Sequence, residues 1–467
     1  MTASAYPSKT FFVSMLTRDI ELKDAILDLL DNCVDGILRH QQIHPAKDKL
    51  KPYEGFWAKI QISDKYFSIE DNCGGIPKNI AEESAFRLGR ADLEQDKDLP
   101  TVGMYGIGMK RAIFKMGRRA QVFSRHKPYS YYVEILPSWL SNDKDWELPL
   151  TDTAKGLESD GTRIVVEELY ENIARQLTSK DFDKELREDI GHFFAVILTK
   201  GFKVLLNDRE VSLEDFRLLY SKDFDSPNQI QPYIYRAKIK GVFIEMVVGF
   251  YRELAPITEI EKEEEDEKDR PTRKSENAGW TVICNDRVVL YRDKTRTTGW
   301  GIRDVPKYHT QFIAIAGVVK FTSNDSLKLP LGTTKRNIDT SSEIYEKAID
   351  RMMDGLKQFT NFTNKWKGVE EGTADNFKKM ELAEPSEIVN SVSKWSKVRG
   401  SREDEQKFVP DLPEPPRTNT KRRIAFYKPS LEIETMAQYF FGDPEVLPSD
   451  VGERCFDEAL KNAKVKK

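Results

Sequence analysis

From Asp24 to Leu38 the chain reads DAILDLLDNCVDGIL, and its apolar residues Ala25, Ile26, Leu29, Leu30, Cys33 and Ile37 recur at helical spacing on one side. Asp28, Asn32 and Asp35 fall in a narrow arc on the other, which predicts a buried helix with a polar ridge. That ridge, two carboxylates and a carboxamide with no cation beside them, suits a hydrated Mg²⁺, and equally suits acids that face solvent. Period-two alternation predicts strands at Phe56–Ile62, at a segment ending on Ile69, and at Ala120–Ser124, Tyr131–Leu136 and Gly161–Val166. Phe11–Leu16 reads as a first strand, with Thr17 or Asp19 capping the helix that follows. Beyond Tyr170 the pattern predicts a helix over Ser179–Leu198 and a strand pair around a turn at Asn207-Asp208. Further strands are expected within Ile234–Phe250 and at Trp280–Cys284, Val288–Tyr291 and Phe312–Val319, then a helix of about two dozen residues from Ser341.

Between these elements lie residues with chemical potential. Asp71-Asn72-Cys73-Gly74-Gly75 sets a carboxylate at a strand end before a flexible turn. Such a pair can accept from an exocyclic amine while backbone approaches a ring, although DN and GG are also ordinary turn punctuation. In TVGMYGIGMKRAIFKM, Gly103, Gly106 and Gly108 precede a helix-forming run that opens with Lys110 and Arg111. Backbone N–H groups, a helix N-terminus and a lysine together can cradle phosphate oxygens. The spacing is neither a P-loop nor a dinucleotide-binding turn. Thr162, after Gly161 at a strand start, can bridge to a base that a carboxylate already holds.

A chain of 467 residues exceeds what one core supports, so two or three domains are expected. A formal charge of −4 offers no global basic field for nucleic acid, and a contact of that kind would need a local patch. Cys33, Cys73, Cys284 and Cys455 are scattered without CxxC spacing, as reduced thiols would be. No apolar run approaches about 18 residues and the opening residues lack a signal-peptide pattern, so a soluble cytoplasmic protein without membrane contact is expected.

The order DLLDN, DNCGGI, GMYGIGMK and DGT before a strand resembles the nucleotide-binding fold shared by gyrase, the ninety-kilodalton heat-shock chaperone, histidine kinases and MutL, the GHKL ATPases, over roughly residues 10 to 170. In look it is closest to the MORC and heat-shock branches. The resemblance implies an α/β class: a two-layer α/β sandwich ATPase domain (1–170), an α+β transducer domain (171–367) with a charged loop at 258–277, a polar Pro-rich linker (368–423) and a small helical C-terminal module (424–467). It implies that Asn32 binds Mg²⁺, that Asp71 accepts from the adenine amino group with Thr162 and Gly75 in support, and that Gly103, Gly106, Gly108 and Lys110 meet the phosphates of ATP. Residues 77–105 would form a lid. A cation from LKLPLGTTKRNID, Lys335 with Arg336 as alternate, would reach the terminal phosphate from the transducer domain. The expected activity is Mg²⁺-dependent ATP hydrolysis that drives a homodimeric clamp around DNA or a protein client, with an operon partner as a further expected contact, in DNA transactions or defence against foreign DNA. A nucleotide-gated binder with negligible turnover is the alternative.

Two departures bear on this. Asp28 stands where the family's hydrolytic members usually carry the glutamate that activates water. The shorter side chain is expected to slow turnover, since misplacement by ~1 Å can cost ~100-fold in rate. Cys73 replaces the first glycine of the adenine motif, which calls for a rearranged turn.

Overall fold

Alternating residues build an eight-stranded sheet from β1 (Trp57–Ile62), β2 (Tyr66–Asp71), β3 (Gly117–His126), β4 (Tyr129–Ile135), β5 (Leu150–Asp152), β6 (Gly161–Leu169), β7 (Lys203–Leu206) and β8 (Arg209–Glu210). Their order is β5-β4-β3-β6-β2-β1-β7-β8, with β1 and β7 parallel and every other neighbouring pair antiparallel. The computed structural model describes residues 8–42, 51–87, 106–153, 156–213, 216–224, 229–256, 259, 277–332, 335–367, 369, 377–378, 380–398, 404–415 and 426–465.

Inward-facing pairs such as Ala58 and Ile60, Phe67 and Ile69, and Ile164 and Val166 share one core with α2 (Leu22–Gln41), the helix Gly108–Met116 and the helix Lys180–Phe193. Helices over a sheet give the expected two-layer α/β sandwich. A second sheet follows, from β10 (Tyr233–Ile239), β11 (Val242–Phe250), β12 (Gly279–Cys284), β13 (Arg287–Asp293), β14 (Ile315–Thr322), β16 (Ser396–Lys397) and β17 (Asp404–Phe408), in the order β13-β12-β14-β11-β10-β17-β16. The helix Glu343–Trp366 lays Tyr345, Ala348, Met352, Leu356 and Phe359 into that sheet's own core. The short β9 (Leu218–Tyr220) pairs with β15 (Glu381–Ala383). Both sheets belong to one unit spanning residues 1–415. Residues 416–467 form a second, in which the helices Ser430–Phe441 and Pro448–Val465 bury Ala437 and Val451. Among the described residues no helix is long and apolar enough to cross a membrane, and all four cysteines are free thiols.

Several expectations need correction. Phe11–Leu16 lies in a helix, α1 (Lys9–Arg18), because a short apolar run fits either period and Lys9 anchors it by donating to Trp139 O at 2.9 Å. Neither Thr17 nor Asp19 caps α2; Glu21 occupies the N-cap, and the Thr17 hydroxyl donates to Val13 O within α1. The helix expected over Ser179–Leu198 is interrupted at Phe194, and the strand expected from Phe312 begins at Ile315. The stretch read as a polar linker carries β15, the helix Pro385–Ser391, β16 and β17. Its composition conceals this, since β17 reads DEQKF and pairs with β10 near the sheet edge, where charged side chains stay half exposed. Residues 88–105 of the expected lid, including Gly103, lie outside the described residues, as do all but Glu259 and Asn277 at the ends of the charged loop.

Candidate functional site

The alternation of β2 places its last inward residue, Asp71, in the row of Phe67 and Ile69, so a carboxylate sits at the rim of an apolar layer. Asp71 is 8 % exposed. Its Oδ1 accepts the Cys73 N–H at 2.8 Å and the Thr162 N–H at 3.2 Å, and its Oδ2 accepts from the Cys33 thiol at 3.5 Å. All these partners are neutral. Burial pushes Asp71 up to about 6 against the hydrogen bonds that oppose it. Thr162 contributes its backbone N–H here, on a strand whose preceding residue has to be glycine: a Cβ on Gly161 would stand 2.0 Å from Asp71 O. The turn accommodates Cys73 because the left-handed positions are Gly74 (φ +102°) and Gly75 (φ +69°), not Cys73. His126 Nδ1 donates to Gly74 O at 2.8 Å and fixes that turn.

The other end of the site lies along α2. Asp28 is 5 % exposed and Asn32 is exposed. A side chain on Gly108 would meet Asp28 at 3.5 Å, so the N-terminus of Gly108–Met116 lies against that carboxylate. Arg111, one turn on, donates to Asp28 Oδ2 at 2.7 Å. Lys110 turns the other way: its amine donates to Ala85 O at 2.8 Å and to Gly106 O, and burial pushes it down to about 8. Lys335 arrives from the loop between Leu331 and Ile338, which are bridged to each other, with its backbone in the left-handed region at φ +55°. Its amine lies 3.0 Å from Asp31 Oδ2 and 3.5 Å from Asp28 Oδ1. Burial works against that charge, but Asp31, Asp28 and Asp35 outweigh it and hold Lys335 above the usual lysine range. Arg336 pairs instead with Asp24 and Asp189.

The sequence-predicted residues thus gather into two groups: Asp71, Thr162 and Gly75 at the end of β2, and Asp28, Gly108 and Lys335 around α2. Missed from the sequence were Asp31, 2 % exposed, and Arg287, 1 % exposed, whose Nε donates to Asp31 Oδ1 at 2.7 Å. The missing signal was a longer reading of α2. Asp24, Asp28, Asp31 and Asp35 stand at i, i+4, i+7 and i+11, a single acidic stripe that crosses the shorter ridge through Asn32. Burial would raise Asp31, but Arg287 and Lys335 hold it below the usual carboxylate range.

Helices over one face of a mostly antiparallel sheet, with a buried carboxylate at the end of β2 and a helix N-terminus beside a second carboxylate, form a two-layer α/β sandwich of the GHKL class. Residues 20–163 of the 467 match the family described as histidine kinase-, DNA gyrase B-, and HSP90-like ATPase. No curated protein matches the chain.

Proposed function

We propose that the chain binds ATP with Mg²⁺, hydrolyses it slowly, and closes a homodimeric clamp around a DNA or protein client when the triphosphate is bound. One observation carries the reading: Lys335, from a loop of the second sheet's domain, comes within 3.5 Å of Asp28 on the helix that also bears Asn32. In this reading the adenine amino group donates to Asp71, with Gly75 and Thr162 beside the base, and Gly103, Gly106, Gly108 and Lys110 line the phosphates. Asn32 would hold the metal, which when bound neutralises phosphate charge. Among the described residues no group of three His, Cys, Asp or Glu is placed to cage an ion. A single exposed carboxamide, completed by phosphate oxygens and water, fits the shell that Mg²⁺ keeps.

Asp28 takes the proton of the attacking water as its oxygen bonds to the terminal phosphorus and the bond to the ADP oxygen breaks. Lys335 meets the charge on the transferred group and ties domain closure to the triphosphate. Two features support slow turnover. Asp28 is one methylene shorter than glutamate, and its two oxygens already face Arg111 at 2.7 Å and Lys335 at 3.5 Å, contacts that compete with an attacking water. The same features favour the second reading, an ATP-gated binder without appreciable hydrolysis. A homodimer is supported by α1, whose Phe11 and Met15 are 62 % and 59 % exposed one turn apart. A DNA or protein client, an operon partner and a part in DNA transactions or defence rest on family likeness.

Turnover in Mg²⁺ of the wild type, Asp28→Glu and Asp28→Asn tests the enzyme reading. We expect slow hydrolysis, about tenfold faster with glutamate and abolished with asparagine. Equal, negligible rates in all three with ATP still bound would leave the gated binder. Light scattering with a non-hydrolysable ATP analogue is expected to show a doubled mass, and a monomer at high concentration would count against the clamp.

A further inference from the structure

The hairpin joining β12 to β13 turns through Asn285 and Asp286, both left-handed at φ +47° and +68°, and drives its tip into the first domain. Asp286 is 2 % exposed and accepts from Tyr53 at 3.1 Å, Lys200 at 2.7 Å and Lys320 at 2.7 Å. The turn is therefore fastened from both domains. Arg287 follows directly. Its guanidinium donates to Asp31 Oδ1, to Phe193 O at 2.9 Å and to Val288 O at 3.0 Å, and its face lies 4.2 Å from the Phe194 ring. With Nε, Nη1 and its face engaged, Arg287 is held in place. Asp31 divides its oxygens between two cations, Oδ1 to Arg287 and Oδ2 to Lys335. Apolar replacements often match or exceed a buried ion pair in stability, so packing alone does not call for this arrangement.

We propose that Arg287 is a positioning residue: it fixes Asp31 so that the second carboxylate oxygen holds Lys335 beside Asp28, and by this route the transducer hairpin sets how strongly the site prefers a triphosphate to a diphosphate. The inference rests on the reading of Lys335 as the cation for the terminal phosphate. ADP lacks that phosphate, so a misplaced Lys335 weakens ATP and spares ADP. Arg287→Lys keeps the charge but cannot reach Asp31 and both carbonyls at once, while Asp31→Asn keeps the shape and removes the anion.

The experiment measures binding of ADP and of a non-hydrolysable ATP analogue, both with Mg²⁺, to the full chain carrying either substitution. We expect the ATP-to-ADP preference to fall about tenfold in both variants, with ADP affinity within about twofold of wild type, a coupling of ordinary size. In a Lys335→Ala background Arg287→Lys is expected to change the preference no further. An unchanged preference, or equal weakening of both nucleotides, would overturn the positioning role and leave Arg287 as structural support. A wild type that binds neither nucleotide would overturn the ATP reading itself, and this inference with it.

Discussion

Asp71 and Asp31 are buried carboxylates at opposite ends of one site, and their surroundings differ in kind. Asp71 is met by two backbone N–H groups and a thiol, none charged, and its acidity is weakened to about 6. Asp31 is met by a guanidinium and an ammonium and is held below the usual carboxylate range. The first arrangement leaves the fold carrying an under-compensated charge whose natural partner is an external donor. The second matches charge with charge inside the protein and joins two domains. A buried acid that recognises a ligand is thus expected to weaken the fold, and one that couples domains to support it.

The largest expected effect comes from Arg287→Met, which leaves Asp31 buried with Lys335 alone. Stability in urea is expected to fall by about 3 kcal/mol, the low end of the cost of removing one partner of a buried pair, because Lys335 stays 3.0 Å from Asp31. A loss under ~1 kcal/mol would place this pair with surface ion pairs. Next is Asp71→Asn, expected to weaken ATP by about 100-fold through a lost charged acceptor, while unfolding occurs at the same or higher temperature. Opposite signs at the two carboxylates are the contrast to look for.

A smaller effect sharpens the contrast through pH. Asp71 is raised in the fold, so its contribution to stability is present below the ordinary carboxylate value near 4 and is lost as pH rises through about 6. Asp31 and Asp286 are depressed, so their contributions are present above about 4 and lost as pH falls. The melting temperature of Asp71→Asn is therefore expected to exceed that of wild type by a margin that grows between about pH 4 and about pH 6 and stays constant above, with the acid limb common to both. ATP affinity of the wild type is expected to drop as Asp71 protonates between pH 7 and 5.

Much of what surrounds Asp71 was legible in the sequence, since its parts are local. Asp71 stood out as a carboxylate at a strand end before a glycine turn, and Gly161 and Gly75 stand where no Cβ fits. The acidic helix was equally plain, but its partners were not: Arg287 and Lys335 lie 256 and 304 residues from Asp31, and no spacing rule links them. Asp31 was overlooked because Asn32 beside it drew the ridge to the wrong side of the stripe. Single strands and the acidic helix followed from periodicity and the sandwich from the family resemblance, whereas α1 was too short to separate helix from strand, and β17 is too charged to declare itself as a strand.

The central claim, that Asp71 is the adenine-reading carboxylate of an ATP site, is tested most directly by calorimetric titration of the wild type and of Asp71→Asn with ATP and GTP in Mg²⁺. Wild type is expected to bind ATP well ahead of GTP, and Asp71→Asn, folded and at least as stable, to lose that preference. Unchanged ATP binding by Asp71→Asn would contradict it.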